Sequence, residues 1–114
     1  MPETRTIAAL AYPGLQLLDI VGPLETFNLA AQQIIDDGER QDRAYRVITI
    51  SRTGTAERSM SGLSIQADRS LDDPIDDIDT LLVPGALTGD ASFFEDPAYI
   101  EFVKRARKSV RRLC

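Results

Sequence analysis

TIAALAYPG at residues 6–14, followed directly by LQLLDIVGP at 15–23, decides the fold class. Residues 6–12 are almost wholly apolar and stop at Pro13-Gly14, the pattern of a strand buried on both faces and closed by a turn. Strands covered on both faces belong to parallel sheets flanked by helices. Gly22-Pro23 then offers a helix start, because proline at the first helical position presets φ and has no N–H to leave unpaired. From there Leu24, Phe27, Ala31 and Ile34 recur at helical spacing, which predicts an apolar stripe ending at the polar stretch DDGERQDR, 36–43.

The rest of the chain repeats this grammar. YRVITIS at 45–51 alternates and is rich in β-branched residues, so it predicts a second strand. Residues 53–68, punctuated by Gly54 and Gly62, read as a hairpin excursion from the main sheet. DTLLVPGA at 79–86 contains another short buried strand, 80–83, again stopped by Pro-Gly. Asp96-Pro97 is a good cap and first helical position, and Tyr99, Val103, Ala106 and Val110 continue at spacings of four, three and four. That helix carries a basic face of Lys104, Arg105, Arg107 and Lys108, and no helix stop is visible between it and Cys114. Strand, helix, strand, hairpin, strand, helix is the order of an α/β sheet with parallel crossovers, with helices on both faces. The expected sheet holds residues 6–12, 45–51 and 80–83 in parallel. The unit would ordinarily continue into another strand, so residues 1–114 are read as part of a domain.

Composition narrows the function classes. The 114 residues are 43% hydrophobic and 27% charged, with a formal net charge of -5, so a hold on nucleic-acid phosphates would work against the overall field. There is no histidine, which removes Ser-His-Asp and Cys-His catalysis and the usual zinc sites from anything built of these residues alone. A single cysteine forms no internal disulfide, no apolar stretch approaches a membrane span, and the opening lacks a secretory pattern; a cytoplasmic protein is expected. The acidic cluster Asp68, Asp72, Asp73, Asp76, Asp77 and Asp79 lacks the ligand alternation and central glycine of a calcium loop and reads as a solvated turn. The basic face has no interleaved aromatics and suits the helix C-terminus. Neither a metal nor a cofactor is expected.

PGLQLLDIVGPLETF, the Gly62-Leu63 hairpin with its acidic sequel, and DTLLVPGA together resemble the ThiJ/PfpI superfamily (class I glutamine amidotransferase-like), in the branch of bacterial GlxA-like regulators and isonitrile hydratase. The resemblance covers nearly the whole chain and implies the front part of a flavodoxin-like domain. In that branch a Ser-Val-Cys-Thr-Gly elbow follows a basic helix like this one, on the next strand. Resemblance further implies that Asp19, at the first strand-helix junction, is a pocket carboxylate beside the elbow cysteine, where its protonation state would govern sulfur reactivity. The turn Pro84-Gly85-Ala86 would supply backbone N–H groups for a developing oxyanion or a ligand, although the family more often has a second glycine where Ala86 stands. Locally, Asp19 reads equally as a helix cap or a solvated residue, and Glu25 as a solvated first-turn residue. Cys114 reads as a small residue at the start of a strand, its alternative being a nucleophile favoured by the preceding arginines.

These residues leave three functions open. The first is a sensor in which Asp19, Gly85 and Ala86 bind a small-molecule effector and bias a C-terminal helix-turn-helix domain of an AraC-family regulator, the only route to DNA. The second is an isonitrile-hydratase-like or other cysteine-dependent lyase or hydrolase. The third is a non-catalytic fold acting through dimerisation, and a homodimer is expected by resemblance in each case.

Overall fold

A computed structural model describes residues 3–86 and 95–114. Within them lie β1 (Arg5–Leu10), α1 (Leu18–Asp36), β2 (Tyr45–Ser51), β3 (Glu57–Arg58), β4 (Ser64–Ile65), β5 (Arg69–Ser70), β6 (Ile78–Leu82), α2 (Pro97–Ser109) and β7 (Arg112–Leu113). Five strands form one sheet in the order β5-β2-β1-β6-β7, every neighbouring pair parallel, and β3 and β4 form the separate antiparallel hairpin. The chain is therefore an α/β protein built on a parallel sheet, as its alternation of buried runs and amphipathic helices requires. β1 is central because it is apolar throughout: Ile7, Ala8, Ala9 and Leu10 are buried, and Ala11 and Tyr12 continue the burial beyond the strand. Parallel crossovers are right-handed. The β1-α1-β2 and β6-α2-β7 connections run outward in opposite directions from the centre, which sets α1 on one face and α2 on the other.

The first helix starts earlier than Gly22-Pro23 suggests. α1 begins at Leu18 and carries Pro23 inside it. Leu17 offers no side-chain cap, so the first turn closes on backbone bonds instead, Asp19 N–H to the Gln16 carbonyl and Ile20 and Val21 N–H to Leu17. Pro23 lacks the N–H that would reach the Asp19 carbonyl. The extra turn nevertheless buries Ile20 completely, and Ile20, Leu24, Phe27 and Ala31 make the stripe that faces the sheet, with the Phe27 ring edge-on to Tyr45 at 5.1 Å. α2 follows its sequence signals closely. Asp96 accepts the Ala98 N–H at 2.9 Å, Pro97 opens the helix, and Tyr99, Phe102 and Ala106 are buried. Its basic face is partly engaged, Arg105 donating to the Leu71 carbonyl at 2.7 Å while lying 5.5 Å over the Phe102 ring.

β5 escapes sequence reading, and β7 comes two residues ahead of the strand start expected at Cys114. β5 pairs two residues with the end of β2, and β7 pairs Arg112 and Leu113 with Thr80 and Leu81 of β6. The end of α2 is thus a real stop, without glycine or proline: Val110 turns extended and Arg111 donates its N–H to the Asp79 carbonyl and its guanidinium to the Asp79 carboxylate at 2.8 and 3.0 Å. Nor is the acidic cluster merely solvated. Asp77 binds Arg46 and Arg69, Asp79 binds Arg111 with Arg5 at 3.9 Å, and Asp68 and Asp73 accept backbone N–H groups of Thr49 and Ser70. These carboxylates tie strand ends together at positions where turn composition alone suggests only solubility. No group of residues among those described has the makings of a metal site, and no described helix is long and apolar enough to cross a membrane.

Arg111 holds the Asp79 carboxyl below the usual carboxylate range, with the Thr80 hydroxyl and the charge of Arg5 acting in the same direction. A depressed folded-state pKa means that this contribution is present above the unfolded carboxyl value of about 3.9 and disappears as pH falls through the folded value. Asp79→Asn is expected to unfold at lower urea concentration than the parent at pH 7, and the gap should close progressively below about pH 4. A gap of constant size down to the acid limit of folding would show that charge at Asp79 is not what joins β7 to β6.

Candidate functional site

Strand order places the crevice. In an open α/β sheet, ligands bind outside the carboxyl ends of the strands where neighbouring crossovers diverge. Here that point lies between β1 and β6, since β1 leads away to β2 and β6 leads away to β7. Asp19 follows β1 and Gly85 follows β6, so residues far apart in sequence come to the same rim.

They meet directly. The Asp19 Oδ2 atom accepts the Gly85 N–H at 3.0 Å, and the Gly85 carbonyl accepts the Gln16 N–H at 2.8 Å, so the turn after β6 is tied on both sides to the start of α1. Gly85 suits this close approach and not a left-handed backbone: its φ is not positive, and a Cβ there would stand 3.3 Å from Asp19 Oδ2, so the carboxylate would have to give by a few tenths of an ångström. Ala86 is accommodated for the same reason, since no described non-glycine residue has positive φ. Asp19 remains exposed, with no ion-pair partner among the described residues, while Glu25 points to solvent on another side of the helix.

The N–H inventory of the turn is small. Pro84 has none, and that of Gly85 is donated to Asp19, so a ligand oxyanion seeking the Gly85 N–H has to displace a carboxylate. Beneath the turn, the buried Tyr12 hydroxyl donates to the Pro84 carbonyl at 2.5 Å, and the Tyr99 hydroxyl donates to the Ala11 carbonyl at 3.2 Å. The two rings meet edge-on with centroids 6.3 Å apart. Burial raises the Tyr12 phenol above its ordinary value, the negative charge of Asp19 adding to the effect. Burial likewise pushes Tyr99 up to about 12, with the Glu57 charge contributing. Both phenols thus stay neutral donors at physiological pH, fixing the carbonyls beneath the crevice. Sequence reading missed Tyr12 by treating it as one more apolar strand residue; its position immediately before Pro13-Gly14, at the carboxyl end of the central strand, was the available signal.

The model of the DJ-1/PfpI family matches residues 5–114. The chain belongs to the DJ-1/PfpI family. Solved structures agree in fold. A ThiJ/PfpI family protein from Pseudomonas syringae superposes with a TM-score of 0.78 at 20% identity, covering 97% of this chain and 41% of that one. A candidate transcriptional regulator from Vibrio parahaemolyticus gives 0.70 at 17%, covering 96% and 55%. A two-domain protein from Anabaena variabilis, with DJ-1/ThiJ/PfpI-like and ferritin-like domains, gives 0.68 at 19%, covering 97% and 30%. The chain therefore spans less than two thirds of the length of each. No curated protein matches the sequence.

Within this DJ-1/PfpI domain the strand begins two residues earlier than expected, and Cys114 directly follows β7 instead of starting a strand. Its N–H donates to the Leu81 carbonyl at 2.9 Å, its carbonyl accepts the Val83 N–H at 2.7 Å, and the residue is exposed. The structure brings Asp19 and Gly85 together, with Ala86 the next residue of the same turn and packed against the core.

Proposed function

We propose that this chain is the small-molecule-sensing domain of a GlxA-like, AraC-family transcriptional regulator, in which Asp19, Gly85 and Ala86 line the effector site. The observation that carries this reading is the Asp19-Gly85 hydrogen bond at the point where the crossovers diverge. It fixes one carboxylate oxygen and leaves an exposed acid facing the crevice, a geometry suited to accepting hydrogen bonds from a ligand. It also occupies the Gly85 N–H, so that a ligand oxyanion meeting this turn competes with Asp19 for that donor. The likeness in fold to a candidate regulator from Vibrio supports the same direction. On this reading the protein is cytoplasmic and reaches DNA only through a separate helix-turn-helix domain.

The alternative is a cysteine-dependent lyase or hydrolase of the isonitrile-hydratase type. One experiment separates the two. The protein is heated with members of a panel of small metabolites, and each mixture is then analysed for consumption. A sensor gives a compound that raises the melting temperature with increasing concentration, as expected when only the folded state binds, and that is recovered intact. Conversion of the stabilising compound over many turnovers would replace the sensor reading with the enzymatic one.

A further inference from the structure

The peptide unit between Pro84 and Gly85 is held at both of its polar ends. Its carbonyl accepts the Tyr12 hydroxyl at 2.5 Å, and its N–H is donated to Asp19 Oδ2 at 3.0 Å. In a planar trans peptide these two groups point in opposite directions, so whatever aims the carbonyl also aims the N–H. The two partners differ in kind. Tyr12 is 1% exposed at the carboxyl end of the central strand, whereas Asp19 stands at the open rim of the crevice. Rotation of this unit changes φ of Gly85, and a glycine accepts either sign of φ at little cost. The residue type at 85 therefore does not fix the direction of the N–H, and a partner has to.

The geometry points to Tyr12 as a positioning residue of the proposed effector site: by holding the Pro84 carbonyl from beneath, its hydroxyl keeps the Gly85 N–H turned toward Asp19 and so fixes the carboxylate that meets the ligand. This rests on reading the Asp19-Gly85 rim as that site. Pro84 is buried, so losing the phenol would leave its carbonyl without a partner away from water. The Tyr12 ring is itself set in place, edge-on to Tyr99, whose hydroxyl is anchored on the Ala11 carbonyl. Burial and the Asp19 charge keep the Tyr12 phenol protonated, and hence a donor. A donor on the carbonyl also polarises the peptide and strengthens its N–H toward the carboxylate. A phenylalanine at this position would fill much the same space and leave the peptide free to turn.

Amide hydrogen exchange followed by NMR on the unliganded protein tests this without an effector. Tyr12→Phe is expected to speed exchange of the Gly85 amide by about three- to tenfold relative to amides in the middle of β1 and β6, the opening that loss of one neutral hydrogen bond allows. Asp19→Ala should speed it by about tenfold or more, since that bond is charge-assisted. The double variant should fall short of the product of the two effects, because both partners hold one peptide unit. Tyr99→Phe, which removes a buried hydroxyl from Ala11 and not from Pro84, should leave Gly85 at the parent rate. If the Gly85 amide in Tyr12→Phe keeps the parent rate, or quickens only in step with the sheet amides, Tyr12 is a packing residue and the inference is overturned while the effector reading stands. Equal quickening in Tyr99→Phe would overturn it too, by showing a general loosening. A Gly85 amide indifferent to Asp19→Ala would instead remove the hydrogen bond on which both the inference and the effector reading depend.

Discussion

Asp19→Ala is expected to weaken effector binding by about ten- to a hundredfold, the loss of one hydrogen bond to a charged group at roughly 1.5–3 kcal/mol. DNA affinity of the ligand-free protein should hardly change, because an effector acts only through its different affinities for two states and Asp19 would contribute to that difference alone. The fold should tolerate the substitution: Asp19 is exposed, so water can replace its carboxylate on the Gly85 N–H. Asp19→Asn separates geometry from charge. Its amide oxygen can still accept the Gly85 N–H, so any binding defect that remains reports the missing negative charge. Titration of the effector identified by thermal stabilisation, with each variant, decides the matter; unchanged affinity in Asp19→Ala removes Asp19 from the ligand site. If the intact protein is instead an enzyme, the same variant should mainly lower turnover.

The largest effect on stability is expected from Leu81→Ala, at about 2–5 kcal/mol. Leu81 is completely buried in β6, paired with Ala8 of β1 on one side and Leu113 of β7 on the other. The centre of the sheet is lined by the small side chains Ala8, Ala9 and Ala11, which cannot swing into the space that the leucine vacates. Poor relaxation puts the cost toward the upper end of the range, a large share of the roughly 5–15 kcal/mol that holds a typical domain folded. Leu82→Ala, at a half-buried neighbour, should cost clearly less. Urea denaturation of both variants checks this, and a shift for Leu81→Ala below about 1 kcal/mol would mean that the packing around β6 is looser than its burial indicates.

How much of this was legible in the sequence depended on where each signal lay. β1, β2 and α2 announce themselves locally: an apolar run closed by Pro-Gly, a β-branched alternation, and an Asp-Pro cap ahead of a periodic stripe. β5 does not, and β7 is foreshadowed only by the strand that an α/β unit calls for after its helix, because each is two residues long and is held by the parallel partner that supplies its hydrogen bonds. The start of α1 was hidden for a related reason. Gly22-Pro23 looks like a beginning, and only the sheet that buries Ile20 explains the additional turn before it. The site divides in the same way. Asp19 and Gly85 were singled out through family resemblance, and nothing local relates them; adjacency of β1 and β6 brings them within a hydrogen bond. The aspartates that clasp Arg46, Arg69 and Arg111 were invisible as structural residues, since a run of turn-forming acids has the same composition whether or not arginines wait at the strand ends.

The central place of β1 has a kinetic meaning. It precedes the other described strands in the chain, yet its two flanks are completed only when residues as distant as Tyr45 and Ile78 arrive, through pairings such as Arg5 with Tyr45 and Thr6 with Ile78. Closing such long loops costs entropy before any pairing compensates for it, which slows folding relative to domains rich in local contacts. At translation rates of about 5–20 residues per second, the emerging chain carries a bare apolar strand for seconds before β6 leaves the ribosome. The element that organises the finished sheet is therefore also the segment most exposed to misassociation while the protein is being made.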